Sequence, residues 1–168
     1  RTNIYGNILT SDTEFDVETK TGFDGDEDIQ HIATGIYLNE NGEYVITEAA
    51  GLEWLANMVN YGAEVKSGDD NSMSGKTFVL ASDIDLKGAE WEPIGCNGTA
   101  FKGTFDGNGK TISNFNVNRA SAAGLFAKAQ GTIKNLIIDN ANIKSNHWGG
   151  AIVGYGLCSR IEKCTVKN

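Results

Sequence analysis

Three segments of this chain share one apolar pattern: Thr111-Ile-Ser-Asn-Phe-Asn-Val117, Thr132-Ile-Lys-Asn-Leu-Ile-Ile138 and Arg160-Ile-Glu-Lys-Cys-Thr-Val166. In each, the apolar residues fall at offsets 0, 3 and 5, giving Ile112/Phe115/Val117, Ile133/Leu136/Ile138 and Ile161/Cys164/Val166. A flat strand places residues on one face at even spacing only. The odd step therefore requires the chain to bend, so that two short strands meet at a corner and both face inward. Asn114 and Asn135 occupy that corner, where a side-chain amide can bond to local backbone.

A second element recurs between these segments, Gly124-Leu-Phe-Ala127 and Ala151-Ile-Val-Gly154, apolar and bounded by small residues. Together the elements predict a coil with three sides per turn. The first motif is 21 residues from the second and the second 28 from the third, and the extra seven are expected to bulge as a loop around Asn140–His147. Unequal periods with constant motifs suit an all-β, right-handed parallel β-helix of at least two turns and not a closed sandwich. The expected register stacks Ile112, Ile133 and Ile161, beside the ladders Phe115/Leu136/Cys164 and Val117/Ile138/Val166.

Upstream, Phe78, Leu80, Ile84 and Leu86 alternate on one face as a half-buried strand pair, and Asn108-Gly109 is a two-residue hairpin signal. One helix is expected over Glu48–Tyr61. Thr47 serves as its N-cap, Glu48 complements the dipole in the first turn, and Gly62 ends it in the left-handed region. Leu52, Leu55 and Val59 form an apolar stripe that would plug the open N-terminal end of a solenoid. Residues 1–42, with an acidic linker at Gly22–Asp28, have too few large apolar side chains for a domain. The expected division is a segment at 1–42 and a β-helix domain at 43–168 with its capping helix at 48–61. Because a full motif is followed only by Lys167 and Asn168, the solenoid is expected to continue in a longer parent, with end-to-end self-association of its exposed rung.

With 168 residues, 40% of them hydrophobic, the chain can enclose one core. The formal charge of −8 argues against nucleic acid, whose phosphates need basic patches. No apolar run reaches the roughly 18 residues of a spanning helix, so membrane insertion is not expected. Cys96, Cys158 and Cys164 have no metal spacing and read as small buried apolar residues, the alternative being that Cys158 and Cys164 meet across a turn and leave Cys96 odd.

Chemistry was sought among the polar groups. Asp83 and Asp85 flank the inward Ile84 and read as solvent-facing strand residues, not as a catalytic pair. His31 and His147 are far apart and lack a nucleophile partner, and no catalytic residue or cofactor is assigned. Asp24, Asp26 and Asp28 alternate as calcium ligands do, but the rest of a calcium loop is missing and a solvated linker is favoured. Gly107-Asn-Gly109 lacks the Lys-Ser/Thr and helix of a phosphate loop. Trp54, in the helix stripe, reads as core, and Trp91, before Pro-Ile-Gly, is expected to pack under a loop. Trp148, beside His147, is the best candidate for an exposed ligand contact.

The order of motifs from Tyr44 onward resembles the β-helical repeat proteins of bacterial surfaces that carry the GLUG-type motif. The matching stretches are Gly51-Leu-Glu-Trp-Leu-Ala56, Gly75-Lys-Thr-Phe78 with Asp83-Ile-Asp-Leu86, Trp91-Glu-Pro-Ile-Gly95, Phe101-Lys-Gly-Thr-Phe-Asp-Gly-Asn-Gly-Lys-Thr-Ile112, Gly124-Leu-Phe126 and Gly131-Thr-Ile-Lys-Asn-Leu136. Ala127 stands where that repeat commonly has Gly. The stretch Arg1-Thr-Asn-Ile-Tyr-Gly-Asn-Ile-Leu-Thr10 is similar to the tail of fimbrillin-like domains of Gram-negative gut anaerobes. The resemblance implies a secreted or outer-surface, adhesin-like module, non-enzymatic, either a rigid spacer or a binding domain whose partner is a host or bacterial surface protein or glycan. The competing expectation is a carbohydrate-binding or polysaccharide-degrading β-helix protein.

Overall fold

In the computed structural model of the chain, the described residues are 18–19, 30–62 and 71–168. The bend that the odd apolar spacing demands is made by single residues in the left-handed region: Asn114 at φ 56°, Asn135 at 52°, Asn140 at 51° and Lys163 at 50°. One such residue reverses the pleat, so the apolar side chain that follows it points inward again. Asn tolerates this conformation better than most non-glycine residues, which explains three of the four.

The bends wind the chain into a parallel β-solenoid of about three turns. It opens with an antiparallel ribbon of β1 (Glu18–Thr19), β2 (Gln30–Ala33), β3 (Ile36–Leu38) and β4 (Tyr44–Ile46). Ile32 and Ile36, from the segment before residue 43, are buried in the common core. From β4 the first face continues in parallel through β5 (Thr77–Leu80), β7 (Thr104–Asp106), β10 (Thr132–Lys134) and β13 (Arg160–Glu162). The second face stacks β6 (Ile84–Glu90), β8 (Thr111–Arg119), β11 (Ile137–Ser145) and β14 (Thr165–Lys167). The third pairs β9 (Phe126–Ala129) with β12 (Val153–Gly156), and Ile94 and Phe101 bridge to it from the rung before.

All three sides exist, and Gly124–Ala127 lies alongside Ala151–Gly154 as the sequence implies. The predicted register is half right. Ile133 does stack on Ile161, and Ile138 on Val166. Ile112, however, stacks on Ile138, Phe115 on Ala141 and Val117 on Ile143, while Ile133 stacks on Phe105. The rungs are therefore nearly uniform, with Phe78, Phe105, Ile133 and Ile161 spaced 27, 28 and 28 residues apart. No loop bulges at Asn140–His147, since Asn140–Ser145 is the second half of β11. The error has a physical source. Each rung bends twice, once between the first and second faces (Asn135) and once within the second (Asn114, Asn140), and both bends impose the same 0-3-5 pattern.

Asn108 and Gly109 do form a tight turn, with φ of 52° and 73° and Lys110 N donating to Gly107 O at 2.7 Å. It is a corner and not a hairpin, because β7 and β8 belong to different faces.

The helix α1 spans Ala49–Tyr61, and its Leu52, Leu55 and Val59 are fully buried. It packs on β3, β4 and β6, the leading strands of the first two faces. Its buried Asn60 reaches the third: Nδ2 donates to Pro93 O, and Oδ1 accepts from Gly95 N and Cys96 N. The helix thus caps the N-terminal end. Its own ends depart from expectation. Glu48 and not Thr47 is the N-cap, no side chain caps there, and Gly62 is right-handed at φ −59°. The last carbonyls are satisfied from afar, Val59 O by the Asn71 amide and Asn60 O by that of Asn97.

An aromatic series joins cap to core: Trp54 on Tyr44, Tyr44 on Phe78 at 4.8 Å, Phe78 on Phe101, Phe101 on Phe126 at 5.1 Å, and Phe126 on Phe105. Ile112, Ile133, Phe115, Leu136, Val117 and Ile138 are all buried, whereas Ile161 and Val166 on the last rung are each 48% exposed. The cysteines do not behave as core residues. All three are free thiols, Cys158 is exposed, and Cys96 and Cys164 are partly buried.

Two substitutions test this packing. Leu136→Ala, which truncates a fully buried side chain, should cost about 2–5 kcal/mol in denaturant unfolding. Lys134→Ala, which removes an exposed ion pair to Asp106, should cost under about 1 kcal/mol. Gly51→Ala should reverse the usual sign. Helix propensity alone favours Ala by about 1 kcal/mol, but a Cβ on Gly51 would lie 1.9 Å from the Gly35 carbonyl oxygen. The helix must shift off β3, so the variant should lose about 1–3 kcal/mol, and an unchanged or raised midpoint would refute the docking.

Candidate functional site

The outer surface of the second face is organised by amides. Asn140 Nδ2 donates to Asn114 Oδ1 at 2.7 Å, and Asn114 Nδ2 to Asp85 Oδ1 at 2.8 Å. Alongside, Asn142 donates to Asn116 and Asn116 to Gly88 O. The Asn114 amide and the Lys87 N–H hold the Asp85 carboxyl below its ordinary range. Asp83 accepts from Thr111 N at 2.8 Å. Both aspartates are exposed, as expected, but Asp83 precedes β6 and each links its rung to the next, a role the sequence reading did not foresee. Asp106 plays the same part at the first corner. Burial pushes its carboxyl up, but bonds from Asn135, Asn108 N–H and Lys134 outweigh this and hold it low.

A shallow cleft of about 250 Å³ lies between α1 and the first rung, lined by Glu53, Ala56, Asn57, Glu90, Trp91 and Glu92. Trp91, expected under a loop, is buried in the core and anchored through Nε1 to Leu125 O. At one side the Tyr61 hydroxyl donates to Glu92 Oε1 at 2.5 Å. No group of three His, Cys, Asp or Glu among the described residues is arranged to hold a metal ion. Asp24, Asp26 and Asp28 lie outside the described residues, as does the stretch Arg1–Thr10. His31 lies against Tyr37 on the ribbon, remote in the sheet order from His147.

The second candidate pair is brought together. Trp148 is half exposed, in contrast to Trp54 and Trp91 at 3% and 7%. Its ring lies 5.6 Å from that of His147 and 5.0 Å from that of Tyr155. The corner is held rather than loose: Ala123 N donates to Trp148 O, Gly150 N to Ala123 O, Ser145 Oγ to Ser121 O, and His147 N to Ser145 Oγ. On the neighbouring rung the small residue Ala123 pairs with Gly149 beside it. Sequence reading missed Tyr155, which is seven residues away and on another face. The small residues Gly149, Gly150 and Gly154 around a lone Trp were the available signal.

The Tyr61–Glu92 bond has a titration consequence. The hydrogen bond to the Glu92 carboxylate, followed by partial burial, pushes the phenol from 10.0 up to about 12. A raised folded-state value means the bond's contribution to stability is complete below pH 10 and is lost as pH rises from 10 to about 12. Near-ultraviolet absorbance titration of the chain minus its Tyr61→Phe variant should isolate this late-ionising phenol, and Glu92→Gln should bring it back towards 10.

The sequence is 42% identical over 102 residues to halomucin of Haloquadratum walsbyi, a match covering 51% of this chain and 1% of halomucin. It is 36% identical over 122 residues to a protein of Evansella cellulosilytica named as a Gly-rich membrane protein, covering 67% of this chain and 12% of that protein. The chain thus spans a small fraction of each relative's length. No family model matches it, and no solved structure matches it significantly.

Proposed function

We propose that this chain is a non-enzymatic binding module of a cell-surface protein, an adhesin-like rod segment that presents the Trp148 corner to a glycan or protein on another surface. The observation that carries this reading is the Trp148–His147–Tyr155 cluster, exposed yet fixed on a regular rung. A large aromatic surface left in water costs solvation free energy that burial would recover, and fixed Trp and Tyr rings form contacts with little loss of side-chain entropy. A solenoid supports such a role because each rung is braced by its neighbours.

Two further lines support the surface setting. One relative is named as a membrane protein, and this chain matches only a small part of it, as a module of a longer protein would. The order of motifs from Tyr44 resembles GLUG-type surface repeats. Against the polysaccharide-degrading alternative, the strand aspartates Asp83 and Asp85 are committed to hydrogen bonds between rungs.

The test is direct. Fluorescently labelled chain applied to a glycan array and to whole bacterial and epithelial cells should bind, and Trp148→Ala should abolish the signal while leaving the circular dichroism and unfolding midpoint unchanged. Binding that survives Trp148→Ala assigns the contact elsewhere. A folded chain that binds no glycan and no cell is a spacer, and the proposal fails.

A further inference from the structure

The charge of this chain is split along its length. Residues 1–106 carry twenty Asp and Glu against six Lys and Arg, whereas residues 107–168 carry eight Lys and Arg against only Asp139 and Glu162. The net −8 therefore conceals an acidic front and a cationic back. The Trp148 corner belongs to the cationic part, and residues 140–161 contain no carboxylate.

A cation lies within the cluster. Lys128 and Tyr155 are direct partners across β9 and β12, so their side chains stand on the same face of the sheet. Lys128 forms no ion pair with the described residues, unlike Lys134 with Asp106 and Arg160 with Glu162. The Tyr155 hydroxyl and the Trp148 Nε1 likewise donate to no described residue. The corner thus holds an apolar platform, an imidazole, two donors without a described acceptor and an ammonium without an ion pair among the described residues.

We infer that the Trp148 corner recognises an acidic sugar, a uronic acid unit of a surface polysaccharide, by stacking the pyranose on Trp148 and Tyr155 and pairing its carboxylate with Lys128. This rests on the binding role proposed for that corner and adds the ligand's class. A pyranose turns one face of C–H bonds towards a ring and directs its hydroxyls sideways, which matches indole and phenol rings flanked by donors. Its carboxylate supplies an anion with which the Lys128 ammonium can form a charge-assisted hydrogen bond. Nucleic acid also combines stacking with negative charge, so single-stranded DNA is the comparison ligand that separates the two.

Calorimetry and tryptophan fluorescence should be run on the whole chain with oligogalacturonate, with neutral galacto-oligosaccharide of equal length and with single-stranded DNA. Oligogalacturonate should bind best and weaken with added salt. Lys128→Gln should lower its affinity about tenfold, the scale of one charge-assisted hydrogen bond, while leaving neutral sugar unaffected, and Trp148→Ala should abolish binding. Equal binding of the neutral oligosaccharide, or no effect of Lys128→Gln, overturns the acidic-sugar assignment and leaves the binding role standing. Preference for DNA also overturns it. If none of the three ligands binds, the assignment is wrong, and the array with Trp148→Ala then decides separately whether the corner binds anything.

Discussion

The structure depends on a single backbone event repeated at fixed places: one residue, or a pair such as Asn108-Gly109 or Lys87-Gly88, entering the left-handed region at each bend. Such a conformation costs an ordinary residue roughly 1–2 kcal/mol, so it persists only where something compensates. Here the compensation is collective. Asn114 and Asn140 stand in register, and each amide is both the reason the bend is tolerated and a donor to the rung before it. A rung thus acquires its shape only with a neighbour of the same shape beside it, and local backbone choice and long-range register become one requirement.

The interior follows from that outer frame. With the bends fixed, the inward positions form columns, and the columns filled with rings give the series from Trp54 to Phe105. The helix α1 completes this arrangement at the front. Its fit against the ribbon rests on two glycines in contact, Gly35 and Gly51, and its last carbonyls are satisfied by Asn71 and Asn97, which come from loops after the helix. The cap is therefore built by side chains distant in sequence.

That difference accounts for what could be read in the sequence. The 0-3-5 pattern is a direct trace of the left-handed bend, so the solenoid, its three sides and the inward residues were legible. The register between the first two rungs was not, because two distinct corners share the pattern. The pairing Ile112-Ser-Asn-Phe-Asn-Val117 with Ile138-Asp-Asn-Ala-Asn-Ile143 was present, but Ala141 weakened the apolar signal at the one position that separates the readings. The C-terminal end of the helix was misjudged because local capping rules do not see partners 12 and 37 residues away. Trp148 was legible as an odd aromatic among small residues. Tyr155 and Lys128 were not, because they join it only through pairing across a rung. Net charge misled in its own way, since a sum over the whole chain erases its distribution.

The near-constant rung of 27 or 28 residues has a consequence for how such a chain can change over generations. A duplication or deletion of one whole period places the same bend beside the same bend and the same amide beside the same amide, so it leaves every junction as it was. Other lengths are absorbed only between the bends, as where Ile112 pairs with Ile138 after 26 residues and Ile94 with Phe126 after 32, since a change inside a bent strand would move its bend out of step and strand its amide. Growth of the stack therefore proceeds by whole rungs, each adding the spacing of neighbouring strands, about 4.8 Å.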